Sequence, residues 1–418
     1  MTEHFPHVVI GGGISGLGAA HFAARLGVET LVLERSGRVG GTLDSYRFDA
    51  CEGYWTEAGG HTCYNSYGNL LGILDDLGLL PLISAKEKVS FRLWRGGKRR
   101  SLFSAIHLFE LLRSLPRLRG ASREGKGLAE YYGAGLGRAN YRDLFGPAFR
   151  AVVCQEPDDF PAELLFRKKP RRKDLPKSFT LPQGLAQISQ AIADQDALQV
   201  RLRRDVLSIR RVGPGFRVEL DGGDLITCDH LTLAVGPDVA AGLMPAGMDE
   251  TASLVGGIGV ANIETLVLAV PKRDLSDRQL PPLAGLISVD DSFYSAVSRD
   301  YRPDPLWRGF AFHFRPGVLD REEQLQRACR ALGVGTDRVA EVGHVINRLP
   351  ALRKGHGDLV QRIDASLAGT RLALTGNWFM GVSIEDCLTR SHAEVDRLIA
   401  GAAQPISTPT EDEIHATS

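Results

Sequence analysis

The chain begins with a short apolar run, His7-Val8-Val9-Ile10, followed at once by Gly11-Gly12-Gly13-Ile14-Ser15-Gly16. A second apolar run, Thr30-Leu31-Val32-Leu33, closes on Glu34. Strand, G-x-G-x-x-G, amphipathic helix, strand and acid follow in the order of a dinucleotide-binding unit. Each part has a physical reason. Gly11 permits the tight turn, Gly13 lets backbone approach a pyrophosphate, and Gly16 lets helix and strand pack closely. The helix N-terminus offers free N–H groups to phosphate oxygens. Glu34 can accept from ribose hydroxyls, and an acid there disfavours the 2′-phosphate of NADP. The spacing predicts an α/β fold with a dinucleotide site at the start of the chain.

At 418 residues the chain can bury a large core and form two domains. Its 50 basic and 50 acidic residues cancel, so the composition gives no nucleic-acid footprint. Six cysteines (Cys51, Cys63, Cys154, Cys228, Cys329, Cys387) are scattered without a C-x-x-C pair. That pattern argues against a disulfide framework or a zinc site, suits a reducing compartment, and predicts small buried hydrophobes. No cationic segment precedes an apolar run at the N-terminus, and no apolar stretch reaches membrane-spanning length. The expectation is a cytoplasmic protein, with peripheral membrane association open.

Along the chain, Leu17 to Leu26 reads as a helix stopped by Gly27, and residues 68–80 as a second helix. Two glycine turns, Arg35 to Thr42 and Glu57 to Thr62, lie between them. Residues 102–118 predict one helix, with Leu102, Ile106, Phe109 and Leu112 on a shared face. That face suits either core packing or membrane docking. The basic run 167–177 carries two prolines and predicts a loop, either solvated or a collar for an anionic substrate or membrane surface. Val206 to Arg211, Phe216 to Leu220 and Ile226 to Cys228, separated by Gly-rich turns, predict an antiparallel meander. Arg371 to Thr375 reads as a strand and Ile384 to Ile399 as a helix. The polar, aperiodic residues 402–418 predict a disordered tail. His61 reads first as a backbone-capping side chain and second as an acid/base. His313, His344 and His356 are isolated and read as structural or solvated.

Taken together, these residues resemble the FAD-dependent amine oxidase and protoporphyrinogen oxidase superfamily, its protoporphyrinogen oxidase branch most. The resemblance rests on GGGISGL, Glu34 and the second glycine motif Arg38-Val39-Gly40-Gly41. It continues through Glu156-Pro157-Asp158 with Ala162 to Phe166, and Leu349-Pro350-Ala351 with Gly355-His356. It ends on Gly376-Asn377, Gly381-Val382 and Asp386-Cys387.

The resemblance implies a Rossmann-type FAD-binding domain with an inserted α+β substrate domain. The FAD domain would take residues 1–85, 180–240 and 341–400; the substrate domain would take 86–179, mainly helical, and 241–340. It implies FAD contacts from Gly11, Gly12, Gly13, Ser15, Gly16 and Leu17 at the pyrophosphate, and from Glu34 and Arg35 at the adenosine. Arg38, Gly40 and Gly41 would lie by the phosphates, Gly59, Gly60, His61 and Thr62 near the flavin, and Val206 at the adenine. Asn377, Val382, Ser383 and Ile384 would face the isoalloxazine. The implied chemistry is hydride transfer from a small-molecule C–H to flavin, then reoxidation by oxygen or another acceptor. A porphyrinogen leads, with an amine, an isoprenoid desaturation substrate or a non-catalytic FAD-binding role as alternatives. The chain departs from the family at Gly59-Gly60, Gln183-Gly184 and Ser391-His392, and the first reading puts all three departures on the substrate side.

Overall fold

The computed structural model describes residues 2–400, so the expected tail at 402–418 lies outside the described residues. Strand β1 (Glu3–Ile10), helix α1 (Ile14–Arg25) and strand β2 (Thr30–Glu34) form where the periodicity places them. β1 pairs in parallel with β2 on one side and with strand Leu225–Leu233 on the other. Leu198–Leu202 continues the parallel sheet beyond β2, and Leu372–Leu374 pairs in parallel with Leu231 to Leu233. The register aligns Ile10 with Leu33 and with Leu233, and Leu233 with Leu374. Four chain segments therefore leave the sheet at one edge, the carboxyl edge where open α/β sheets bind ligands.

Both faces of this sheet are covered, as its continuous apolar strands require. Alternation sends Val8, Ile10, Leu31 and Leu33 into one cluster and Val9 and Val32 into another. α1 covers the second face together with the terminal helix Ile384–Val395. Their contact is close: a methyl on Gly18 would come within 2.4 Å of Leu388 Cδ2, and Ser391 donates to the Ser15 carbonyl at 2.7 Å. His392 stacks on Phe22 with ring centroids 4.3 Å apart. This departure from the family pattern is thus absorbed by helix packing and does not touch the cavity described below. The meander forms as Val206–Val212, Gly215–Leu220 and Leu225–Leu233, its last strand running unbroken into the parallel sheet.

A second seven-stranded sheet orders its strands 341–351, 259–271, 307–314, 293–298, 283–288, 90–95 and 98–101. Two expectations are corrected here. Glu341–Ala351, expected in the nucleotide-binding part, pairs along its length with Gly259–Pro271, from Gly259 opposite Ala351 to Ala269 opposite Glu341. Residues 90–101, expected in a mainly helical segment, form a hairpin at the far edge. Strand alternation divides the sheet's two faces. Phe310, Phe312 and Phe314 pack with Leu266 and Leu268 beneath helix Arg321–Leu332, while Ala311, Val267 and Ala269 meet Phe48 and Tyr54.

The single helix expected over 102–118 is broken into a turn at Leu102–Ala105, a helix at Leu108–Ser114 and a turn at Leu115–Leu118. Tertiary partners take over its backbone. Asn140 accepts from the His107 amide at 2.9 Å and donates to the His107 carbonyl at 3.0 Å. Glu110 turns away to accept from the amides of Ala139 and Asn140. The basic run 167–177 is a loop, as expected.

Candidate functional site

The carboxyl edge of the parallel sheet opens into a cavity of about 610 Å³, within the range of cofactor and ligand sites. Gly11, Gly13, Ser15, Glu34, Arg35 and Arg38 line it at the first glycine turn. Gly40, Gly41, Gly59, Gly60, His61 and Thr62 line its middle, with Val206 toward the meander. Asn377, Val382, Ser383 and Ile384 line it at the start of the terminal helix. The sequence reading therefore brings together residues from distant parts of the chain around one space.

Three of its assignments are corrected. Gly12 does not face the cavity; its amide donates to Glu34 Oε2 at 2.7 Å. A methyl on Gly16 would sit 1.9 Å from the Gly11 carbonyl oxygen, so its missing side chain serves helix–strand packing, and Gly16 does not line the cavity. Leu17 is fully buried in the core under α1. The same helix phase that points Ser15 at the cavity turns Leu17 inward.

Glu34 organises the first turn. Its other oxygen accepts from the Ser36 amide at 2.7 Å, so one carboxylate holds the backbone on both sides of the cavity. The second glycine turn docks on the first: Gly40 donates to the Gly12 carbonyl at 2.8 Å and bridges Gly13. Arg38 holds it there, donating to the Val39 and Gly41 carbonyls and pairing with Asp44 at 2.9 Å. Gly60 donates to the Thr42 carbonyl at 2.9 Å, a bond that a proline at this position could not make.

The geometry fits an anionic dinucleotide. α1 starts at Gly13 with no side-chain cap, leaving its first-turn N–H groups for a ligand. A methyl on Gly13 would meet no protein atom within 4 Å. That open space above a helix N-terminus is where a pyrophosphate can approach.

Beneath the middle of the cavity lies a buried polar layer that local sequence patterns did not reveal. Lys86 donates to the His61 carbonyl at 2.8 Å and to Thr62 Oγ1 at 2.7 Å, and its ammonium sits 3.5 Å from the Tyr301 ring centroid. Burial lowers Lys86 to about 8, against the nearby Glu57 carboxylate. Burial raises Glu57 to about 8, although it accepts from the Leu185 amide and Ser45 Oγ, each at 2.8 Å.

His61 caps no backbone group, contrary to its first reading. Its Nε2 lies 3.0 Å from Nε2 of His313, which also lines the cavity. His313 is thus not an isolated side chain. Burial lowers both imidazoles, His313 to about 4; for His61 the charges of His313 and Lys86 add to the effect. His344 is exposed, and buried His356 is 2.7 Å from the Trp378 carbonyl, as structural or solvated histidines would be. Five cysteines are buried, while Cys154 is partly exposed and lines the cavity.

The family model of flavin containing amine oxidoreductases matches residues 14–333, well over half of the chain. The chain belongs to this family. It is therefore a flavoprotein oxidoreductase, and its cofactor is FAD.

Among curated proteins, the chain is similar to the Dictyostelium discoideum "Probable flavin-containing monoamine oxidase A". The two are 32% identical over 79 residues, 19% of this chain and 17% of that protein. It is 46% identical over 52 residues to an L-amino acid oxidase of Cerastes cerastes, covering 12% of this chain and 10% of that one. The matches span less than a fifth of these relatives' length.

Solved structures match throughout. A "Putative protoporphyrinogen oxidase" from Exiguobacterium sp. 255-15 aligns with TM-score 0.74 and 19% identity, covering 95% of this chain and 98% of that one. A variant of putrescine oxidase aligns with TM-score 0.72 and 13% identity, covering 96% and 100%. These likenesses establish a shared fold.

The two glycines make opposite predictions. Gly13→Val keeps an ordinary backbone angle (φ −75°) and meets no protein atom, so it should abolish FAD retention while its thermal unfolding midpoint stays close to that of FAD-free wild type. Gly16→Val should unfold the protein or lower the midpoint sharply, because backbone stands in its way. Flavin content and thermal unfolding of both variants check this. Full FAD retention in a folded Gly13→Val would contradict the site.

Proposed function

We propose that the chain oxidises a bulky apolar donor at the far end of this cavity, with a porphyrinogen as the substrate class. The parallel sheet and its helices form the FAD-binding part, and the second sheet with the 102–166 helices forms the substrate part. Gly11, Gly13 and Ser15 hold the pyrophosphate. Arg38, Gly40 and Gly41 lie by the phosphates, Glu34, Arg35 and Val206 hold the adenosine side, and Gly59 to Thr62, Asn377 and Val382 to Ile384 surround the flavin. When bound, FAD supplies a two-electron acceptor for a hydride from a substrate C–H, with oxygen or another acceptor closing the cycle. The protein's own work is to orient the donor and exclude water.

The wall beyond His61 carries the substrate reading. Val152, Val260, Ile263, Val297, Val345, Ile346 and Leu349 line it, with Ser295 and Asn347 as polar neighbours. A small ammonium substrate is best held by free carboxylates or aromatic faces. The lining acids are Glu34, occupied by two amides, Asp238, paired with Arg348 at 2.6 Å, and Asp205, beside Val206. An apolar wall suits a macrocycle better. Anaerobic mixing of the holoprotein with protoporphyrinogen should bleach the flavin absorbance. Bleaching by a panel of amines, with none by protoporphyrinogen, would overturn the substrate class in favour of amine oxidation.

Peripheral docking on an anionic lipid surface belongs to the same proposal. Among the described residues no helix is long and apolar enough to cross a membrane. Yet the 102–118 segment leaves Phe103 82% and Phe109 81% exposed, with Leu108, Leu112 and Leu115 beside them. Apolar side chains clustered at a surface mark an interaction site. The exposed cations Arg113 and Arg117 on the same segment, and Arg119 just after it, suit anionic head groups, each contributing about 1 kcal/mol near the surface. Co-sedimentation with anionic vesicles should be strong at low salt, weaken with salt, and be lost in Phe109→Glu without a change in unfolding midpoint. Wild-type protein that stays in the supernatant at low salt would refute it.

A further inference from the structure

The polar row behind His61 has a direction that its hydrogen bonds determine. Strand register assembles it. Thr265 stands opposite His313 on one neighbouring strand and opposite Val345 on the other, and Asn347 follows two residues along the same face. Asn347 Nδ2 donates to the Ala58 carbonyl at 2.8 Å, and a carbonyl can only accept. That fixes the amide's orientation. The same Nδ2 donates to Thr265 Oγ1 at 3.2 Å. Thr265 Oγ1 then has its own proton left, and its remaining partner is His313 Nδ1 at 3.0 Å. A neutral His313 that accepts at Nδ1 carries its proton on Nε2. It therefore donates to His61 Nε2, 3.0 Å away. A neutral His61 that accepts at Nε2 carries its proton on Nδ1.

Both rings line the cavity, and among the described residues Nδ1 of His61 has no hydrogen-bond partner. We infer that His61 is locked as the Nδ1–H tautomer and presents that N–H to the cavity as a fixed donor to a carbonyl or carboxylate oxygen or an unprotonated ring nitrogen of the occupant. Asn347, Thr265 and His313 are positioning residues that set its tautomer. This deepens the oxidase reading above and rests on it for the occupant's identity. It also reverses the acid/base reading of His61: a nitrogen already bearing a proton cannot accept one from substrate. Burial favours the neutral form of both rings, and for His61 the charges of His313 and of Lys86, which holds the His61 carbonyl from below, add to it.

Two acceptors have the required chemistry: a carbonyl oxygen or ring nitrogen of the flavin, or a carboxylate oxygen of the substrate, since the pyrrole nitrogens of a porphyrinogen all bear protons. Nitrogen-15 NMR of histidine-labelled holoprotein at neutral pH reads the tautomers directly and needs no turnover. His61 should be protonated at Nδ1 and His313 at Nε2. Thr265→Val, which keeps the shape but removes the hydroxyl, should release both assignments, and Thr265→Ser should restore them. In His61→Phe, a more negative flavin midpoint potential assigns the acceptor to the flavin. An unchanged potential with weakened binding of the donor substrate, or of an inert analogue, assigns it to the substrate. Protonation of His61 at Nε2, tautomers indifferent to Thr265→Val, or a His61→Phe variant altered in neither respect would overturn the inference. A protein that holds no FAD would instead overturn the oxidase reading while leaving the tautomer measurement standing.

Discussion

Backbone must touch backbone where α1 leaves the parallel sheet, and the rest of the site depends on that contact. A methyl on Gly11 would come 2.5 Å from the Ala234 carbonyl oxygen, and one on Gly16 would come 1.9 Å from the Gly11 carbonyl oxygen. With side chains absent at both positions, α1 can settle onto the strand ends with its N-terminus open. Glu34 then ties Gly12 to Ser36, and the second glycine turn docks on the first through the Gly40 amide. The helix N-terminus, the two glycine turns and Glu34 thus stand around one cavity. Such a site demands position more than side-chain chemistry.

The second sheet supplies what the first cannot. Its strands alternate between a phenylalanine face buried under a helix and a face turned to the cavity. A single register brings Ser295, His313, Thr265 and Val345 side by side on that second face. Among them Thr265 and His313 are partnered in turn and order the chain of donors that ends at His61, while the buried Ser295 hydroxyl has no hydrogen-bond partner among the described residues. Lys86 and Glu57 support the same loop at the cost of burying ionisable groups, and that burial shifts both toward their neutral forms. The apolar wall beyond them leaves space for a large donor with few polar demands.

The parts legible in the sequence were those whose signals are local. The glycine turn is local, as are the acid 18 residues after Gly16, the hairpin turns of the meander and the periodicity of the terminal helix. What stayed hidden came from register between distant strands. His313 lies in the run Trp307–Phe314, where phenylalanine at every second position marks one buried face. Nothing nearby in the sequence says that the other face meets His61, 252 positions away. Residues 102–118 failed for a related reason. Their helical periodicity is genuine, but Asn140 takes the His107 amide and carbonyl, and Pro116, with no N–H to give, stands just past the helix that ends at Ser114. A motif position is not in itself a side-chain contact: the helix turn directs the Leu17 side chain, and the place where Gly16 would carry one, into packing.

The central claim is that the two interlocked glycine turns form an FAD site, and it is tested most directly on the purified wild-type protein. The account predicts a yellow protein with an oxidised-flavin spectrum and one FAD per chain released on denaturation. A folded protein that is purified without flavin and cannot be reconstituted by added FAD would contradict it.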